Sequence, residues 1–117
     1  MYIIVLDTNI ILDIIKFKID IFRELKRICN FQYNIAILDK TLDELKNKKN
    51  SKLAFALIKK YKLKIIKTKQ GYVDSILANL DKNYIIATND QGLKKLLKNK
   101  PYITLRQKKY LMIENVL

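Results

Sequence analysis

The sequence predicts a single three-layer α/β domain spanning residues 1–117, in which helices cover both faces of a five-stranded parallel sheet. The length of 117 residues suits one domain, and half of the residues are hydrophobic. Apolar runs typical of strands alternate with amphipathic segments typical of helices, which is the pattern of α/β domains. Since the predicted strands are apolar throughout, we expect both faces of the sheet to be buried.

The strands are predicted from runs of apolar and β-branched residues. These runs are Tyr2–Leu6, Asn34–Leu38, Leu63–Lys67, Tyr84–Thr88 and Pro101–Leu105. Helices are predicted at Ile10–Ile15, Asp20–Ile28, Leu42–Leu45, Ser51–Ile58, Val73–Leu80 and Leu93–Leu97. Polar residues at their starts are candidate N-caps, namely Asp7, Asp39 or Thr41, Ser51 and Asp90.

The composition excludes several classes of functional site. With two glycines, the chain cannot form the glycine-rich phosphate loops of dinucleotide-binding or Walker-type proteins. The absence of histidine excludes Ser-His-Asp and Cys-His catalysis and histidine-ligated zinc or haem. The single cysteine, Cys29, is interpreted as a small apolar residue in a reducing compartment. The N-terminal segment is interpreted as a strand rather than a signal peptide, and we expect a soluble, cytoplasmic protein without a membrane span.

The net charge is the first indication of function. Lysine and arginine total 24 against 11 acidic residues, which gives a formal charge of +13. Such a field attracts polyanions, either nucleic acid or an anionic membrane surface. A lysine-rich codon bias from an AT-rich genome is the alternative explanation, although it does not account for the positions of the acidic residues.

Four acidic residues follow four successive predicted strands: Asp7, Glu44, Asp74 and Asp90. Because parallel strands end at the same edge of a sheet, we expect these carboxylates to share one rim. Their mutual repulsion favours a bound cation, and oxygen ligands without histidine or cysteine suit Mg²⁺ or Mn²⁺. Each residue also has a simpler explanation, as a helix cap or a solvated helix charge. Together they predict a metal-assisted phosphodiesterase of nucleic acids.

Four short motifs resemble the acidic signatures of PIN-domain ribonucleases: LDTN at 6–9, DEL at 43–45, DSILANL at 74–80 and ATND at 87–90. The ending ITLRQKKYL at 103–111 is similar to the tail of small archaeal PIN proteins related to the eukaryotic small-subunit pre-rRNA processing nuclease. The resemblance implies a five-stranded parallel sheet, a divalent metal site and cleavage of single-stranded RNA.

The same resemblance assigns roles to individual residues. It makes Asp7, Glu44, Asp74 and Asp90 the catalytic metal-binding acids. It makes Thr8, Asn9 and Thr88 polar neighbours that orient those carboxylates. Two positions depart from the family pattern: Gly92 stands where many relatives have a further acid, and Val73 where close relatives often have a second aspartate. Gly92 puts a strict two-metal mechanism in doubt.

Lysines dominate two acid-free stretches, one between Glu44 and Asp74 and one between Asp90 and Glu114. Lysine contacts phosphate as a point charge, so this composition favours backbone contacts over base reading. The candidate RNA contacts are Lys94, Lys95, Arg106, Lys108 and Lys109. The expected partner is single-stranded RNA or pre-rRNA, and a homodimer is left open.

Three functional classes remain to be compared. The leading one is an endoribonuclease, with ribosomal RNA maturation ahead of a toxin of a toxin–antitoxin pair. The second is a scaffold of the same fold that binds RNA or pre-ribosomes without cutting. The third class is a phosphotransfer domain, and it fits poorly for two reasons. A dehalogenase-type phosphatase needs an aspartate two residues after its nucleophile, where this chain has Asn9 after Asp7. A response-regulator receiver needs an aspartate at the end of its third strand, and no acid ends the third predicted strand.

Overall fold

The computed structural model describes residues 1–68, 76–77, 80–97 and 99–115. Its strands are Tyr2–Leu6 (β1), Tyr33–Leu38 (β2), Lys64–Ile66 (β3), Tyr84–Ala87 (β4), Tyr102–Arg106 (β5) and Tyr110–Glu114 (β6). Its helices are Thr8–Lys16 (α1), Ile21–Ile28 (α2), Asp39–Leu45 (α3), Ser51–Lys60 (α4) and Gln91–Leu96 (α5). Of the predicted helix Val73–Leu80, positions 76 and 77 are described and helical, and most of the others lie outside the described residues.

The strands form one sheet in the order β3-β2-β1-β4-β5-β6. Strands β1 to β5 are parallel, and β6 pairs with β5 in the antiparallel direction. The predicted α/β class is therefore confirmed, whereas the prediction of five strands, all parallel, was wrong by one strand. The hairpin was missed because Gln107 and Lys108 adopt the left-handed conformation (φ 53° and 56°) that turn signals normally mark with glycine or asparagine.

Alternate residues of the central strands face opposite sides of the sheet. On β1, Ile4 and Leu6 pack into one core cluster while Val5 packs into another. On β4, Ile85 and Ile86 divide in the same way. Both clusters are covered by helices, which explains why these strands are apolar on both faces and gives the three layers of the fold.

The larger cluster lies beneath α1, α2 and α4, and the smaller one contains Leu93 and Leu97 from the region of α5. Half-buried Cys29 packs against the larger cluster, and burial raises the pKa of its thiol to about 11, so the thiol is protonated at neutral pH. Within the described residues, no helix combines the length and apolar composition that a membrane crossing requires.

Aspartates begin three of the helices. Asp7, Asp20 and Asp90 are the N-caps of α1, α2 and α5, and each accepts a hydrogen bond from the backbone three residues later. The predicted caps of the two middle helices were wrong. The N-cap of α3 is Leu38 and that of α4 is Asn50, and neither makes a side-chain capping bond. Asp39 instead accepts hydrogen bonds from Thr68, which follows β3.

Helix α2 is tied to β6 by the Glu24–Arg27 pair. Glu24 Oε1 accepts hydrogen bonds from Arg27 Nη2 (3.0 Å) and from the backbone nitrogen of Leu111 (2.9 Å). Arg27 Nη2 in turn donates to the backbone oxygen of Leu111 (2.7 Å). Both backbone groups of Leu111 are thus bonded to α2 side chains, which fixes the helix against the last strand.

Candidate active site

The chain reverses direction across the sheet between β1 and β4. It leaves β1 for β2 and β3 on one side, and then crosses to β4 on the other side of β1. In open α/β sheets, a crevice at the carboxyl ends of the two strands that flank such a reversal is the usual ligand site. Asp7 directly follows β1, and Asp90 closely follows β4, so the topology brings both to this crevice.

Asp7 is a buried carboxylate, with 7% of the residue exposed. Its Oδ1 accepts a hydrogen bond from Ile10 N at 2.8 Å, and its Oδ2 accepts one from the hydroxyl of Thr88. Its own backbone nitrogen donates to Ala87 O at 3.1 Å, which continues the β1–β4 ladder to the site. Because strand, helix cap and hydroxyl all hold Asp7, its carboxylate has a fixed orientation.

Thr88 joins the two acidic residues. Its side chain is fully buried, donates to Asp7 Oδ2 and accepts a hydrogen bond from Asp90 N at 3.0 Å. Asp90 is half-buried, and its Oδ1 accepts from Leu93 N at 3.0 Å. One hydroxyl therefore sets the position of Asp90 relative to Asp7.

The other predicted site residues are placed less centrally. Thr8 is buried in the first turn of α1, whereas Asn9 is exposed beside it. Glu44 is exposed on α3, which follows the strand next to β1. Asp74 lies outside the described residues, as does Val73. Among the residues described, no three acidic or cysteine side chains are grouped closely enough to hold a metal ion by themselves.

Gly92 lies in the first turn of α5, immediately beyond Asp90. A Cβ atom added to Gly92 would lie 3.1 Å from Asp90 Oδ1, closer than ordinary van der Waals contact. The glycine that departs from the family pattern therefore leaves space for the Asp90 carboxylate in its capping position.

A hydrogen-bond network on the far side of Thr88 was not predicted from the sequence. Asn89 Nδ2 donates to Asp13 Oδ2 on α1 at 2.9 Å. Asn89 Oδ1 accepts from Leu105 N at 2.9 Å and from Thr104 Oγ1 at 3.0 Å, both on β5. The signal in the sequence was Asp13, a carboxylate within the otherwise apolar run of α1. A carboxylate in such a run predicts a hydrogen-bond partner elsewhere in the chain.

Asp39 was predicted only as a candidate helix cap, but it also joins two segments of the chain. Its Oδ1 accepts from the hydroxyl of Thr68 (2.7 Å) and from Lys40 N (2.8 Å), and its Oδ2 accepts from Thr68 N (3.2 Å). The hydrogen bond from the Thr68 hydroxyl is the main cause that lowers the pKa of Asp39. Asp39 directly follows β2, just as Asp7 follows β1, so the same positional rule could have singled it out.

The predicted RNA contacts differ in their surroundings. Lys95, Lys108 and Lys109 are exposed, and exposed Arg106 is ion-paired with Glu114. Lys94 is half-buried, and burial followed by the charge of Arg106 lowers its pKa. The negative charges of Glu114 and, to a smaller extent, Asp7 act in the opposite direction on the pKa of Lys94.

Comparison with known proteins identifies the family. A family described as PIN like domain matches residues 4–108. The chain belongs to the PIN-domain ribonuclease family. This PIN domain is 39% identical to Ribonuclease VapC4 of Methanocaldococcus jannaschii, over 97% of each chain. Its fold matches the PIN domain endonuclease Utp24 with a TM-score of 0.84 at 24% identity, covering 99% of this chain and 93% of the other. Family membership makes it a ribonuclease.

The carboxylates at the crevice suit a hard divalent cation. Asp7 and Asp90 offer only oxygen donors, which Mg²⁺ and Mn²⁺ prefer. A carboxylate oxygen has two lone pairs, so the capping hydrogen bond that it accepts does not by itself prevent Oδ1 of Asp7 or of Asp90 from binding a cation in this PIN domain. The donor set therefore fits the metal that the family implies.

Proposed function

We propose that this PIN domain is a divalent-metal-dependent endoribonuclease that cuts single-stranded RNA in the crevice between β1 and β4. The observation that carries the proposal is the Asp7–Thr88–Asp90 arrangement, in which one buried hydroxyl links the Asp7 carboxylate to the backbone nitrogen of Asp90 at the point where the chain reverses across the sheet. We assign Asp7, Glu44, Asp74 and Asp90 as the metal-binding acids and Thr8, Asn9 and Thr88 as residues that orient them.

The residues of this chain prepare the site in three ways. The caps of α1 and α5 and the Thr88 hydroxyl fix Asp7 and Asp90, so that little reorganisation is needed when a cation binds. Lys94 supplies a positive charge on α5, the helix that Asp90 caps, and this charge can attract a phosphate. A bound Mg²⁺ or Mn²⁺ would polarise the phosphodiester and favour the hydroxide form of an attacking water.

The decisive variant is Asp7→Asn. Asparagine keeps an acceptor for Ile10 N, and its amide can donate to Thr88, whose hydroxyl oxygen has a free lone pair. Removing the charge should abolish cleavage of a single-stranded RNA in Mn²⁺ or Mg²⁺, while RNA binding stays equal or becomes tighter. The wild type should melt at a higher temperature with added Mn²⁺, and Asp7→Asn should show a smaller shift.

Asp43→Asn is the matched control, because Asp43 is an exposed acid on α3 whose only described ion pair is with exposed Lys46. Asp39→Asn would be unsuitable, since Asp39 holds Thr68. Cleavage by Asp7→Asn at the wild-type rate, from a preparation free of contaminating nuclease, would refute an enzymatic role for this crevice. An RNA-binding scaffold would then be the better description.

We propose ribosomal RNA as the leading substrate, on the strength of the 103–111 tail, which forms β5, the turn and the start of β6. A toxin-type ribonuclease is the second candidate, favoured by the 39% identity to Ribonuclease VapC4. Expression in a host cell separates the two. Growth arrest that depends on Asp7 indicates a toxin, whereas normal growth together with accurate cleavage of a pre-rRNA fragment indicates maturation.

A further inference from the structure

A basic groove lies between the α1–α2 turn and the tip of the β5–β6 hairpin. It is a cavity of about 480 Å³ whose cationic lining comes from both walls. Lys18 and Arg23 stand on the α1–α2 side with Arg27, and Lys108 and Lys109 stand on the hairpin. We call it the turn–hairpin groove.

The groove lies on the same edge of the sheet as the candidate active site. Helix α1 has Asp7 as its N-cap and Phe17 as its C-cap. Between them, Asp13 accepts a hydrogen bond from Asn89, which follows β4. The ammonium of Lys108, beyond β5, lies 5.5 Å from the centre of the Phe17 ring. Helix α1 therefore runs along the carboxyl edge from the acids to the groove, and its nine residues span about 14 Å.

The carboxylates of the groove are already used within the protein. Glu24 accepts from Arg27 and Leu111, and the hydrogen bond from Arg27 is the main cause that lowers the pKa of Glu24. Asp20 caps α2 through the backbone nitrogen of Arg23. These are the two acids among the lining residues, against five cations, so the lining carries a net charge of +3.

Most of the groove's cations are available to a ligand. Arg27 is paired with Glu24, but Lys18, Arg23, Lys108 and Lys109 form no ion pair with any residue in the described part of the chain. Lys108 is held over Phe17, which also lies 5.4 Å from Lys16 Nζ. Cations on two walls, with lysine prevailing, suit the repeating charge of a polynucleotide backbone, which such grooves track without reading bases.

We propose that the turn–hairpin groove binds the sugar–phosphate backbone of the RNA on one flank of the cleavage site. The proposal rests on the proposed function, because a strand held at Asp7 and Asp90 would follow α1 into this groove. It adds Lys18 and Arg23 to the substrate-binding residues and gives Lys109 a defined position among them.

The test compares two triple variants with the same loss of charge. The groove variant combines Lys18→Gln, Arg23→Gln and Lys109→Gln, and leaves Lys108 on Phe17. The control combines Lys26→Gln, Lys52→Gln and Lys59→Gln, all exposed and outside the groove. Binding of a labelled single-stranded RNA of about 12 nucleotides should weaken about tenfold or more in the groove variant and much less in the control.

Two further readouts accompany the affinity. The slope of log K against log salt should become shallower by about 2 in the groove variant, since three phosphate contacts each contribute about 0.7. In cleavage assays KM should rise while kcat stays near the wild-type value, because the groove lies away from the acids. Unchanged melting temperatures would show that both triple variants are folded.

Equal weakening in the two triple variants would overturn the proposal, because net charge alone would then explain the binding. Polyglutamate serves as a competitor. If the groove variant keeps RNA binding but loses polyglutamate binding, the groove fits an acidic protein segment and the proposal is wrong. If the wild type neither binds nor cuts RNA, the proposed function is wrong. If the wild type is active and the groove variant behaves like the control, only the groove proposal is wrong.

Discussion

A single hydroxyl, that of Thr88, holds the candidate active site together. It donates to Asp7 and accepts from the backbone of Asp90, and no part of the residue is exposed to solvent. Without it, the buried Asp7 carboxylate and the partly buried backbone nitrogen of Asp90 would each lose a hydrogen-bond partner. Thr88 thus joins β4 to both Asp7 and Asp90 through one side chain.

The substitution Thr88→Val tests both roles. We expect the free energy of unfolding to fall by about 1–3 kcal/mol, because Asp7 Oδ2 loses a hydrogen-bond partner in a buried place and Asp90 N loses one in a partly buried place. Mn²⁺ affinity should weaken about 10- to 100-fold, since the carboxylates are no longer oriented. Denaturant unfolding and Mn²⁺ titration measure the two effects. Thr88→Ser keeps the hydroxyl and should retain most of the stability and of the Mn²⁺ affinity. A valine variant with wild-type stability and Mn²⁺ affinity would contradict the role given to the Thr88 hydroxyl.

Helices and strands in this fold are joined by side chains that reach backbone or polar groups far away in the chain. Asn89 connects α1 to β5 in this way, through Asp13 on one side and Leu105 on the other. It also stands between Thr88 and Asp90. The positions of α1 and of the site are therefore coupled to the last parallel strand.

A double-mutant cycle of Asp13→Ala and Asn89→Ala measures this connection. We expect each single variant to be destabilised, with a coupling energy of about 1–2 kcal/mol from the 2.9 Å bond to a carboxylate. The exposed Asp43–Lys46 pair is the reference and should give a coupling of about 0.5 kcal/mol or less. Equal coupling energies in the two cycles would mean that the Asp13–Asn89 hydrogen bond stabilises the fold no more than an exposed ion pair does.

The link between α2 and β6 should make stability depend on pH. Arg27 lowers the pKa of Glu24 below its ordinary value of 4.5. A carboxylate with a lowered folded-state pKa stabilises the protein above the unfolded value and loses this effect as the pH falls through the folded value. Urea unfolding from about pH 6 down to about pH 3 should show a steeper loss in wild type than in Glu24→Gln. Parallel curves would show that Glu24 is not linked to folding.

The net charge of the chain should govern how it binds RNA. With a net charge of +13 and only three arginines among 24 cations, contacts should be mainly electrostatic and insensitive to base sequence. For about five phosphate contacts, log K should fall with log salt with a slope of about −3.5, or about a hundredfold between 50 and 200 mM. Fluorescence anisotropy with two RNAs of unrelated sequence measures both properties. A flat salt response, or a strong preference for one sequence, would contradict the electrostatic account.

The sequence was sufficient for the features that depend on local pattern. Asp7 and Asp90 could be placed at one edge because each follows an apolar strand, and parallel strands end together. Features that depend on distant partners were missed. Asn89 and Asp13 are 76 positions apart, and Asp39 and Thr68 are 29 apart, so the sequence could mark Asp13 and Asp39 as unusual but could not identify their partners. Strand β6 was missed because its turn lacks glycine and asparagine.

The bonds from Glu24 and Arg27 to Leu111 also affect how molecules of this protein meet one another. Strand β6 is the last in the order of the sheet, and the free backbone groups of a terminal strand can template the addition of a foreign strand. At Leu111 both of these groups are already bonded to α2 side chains. The ion pair that docks the helix therefore leaves Leu111 without a backbone group for pairing with a strand of another molecule.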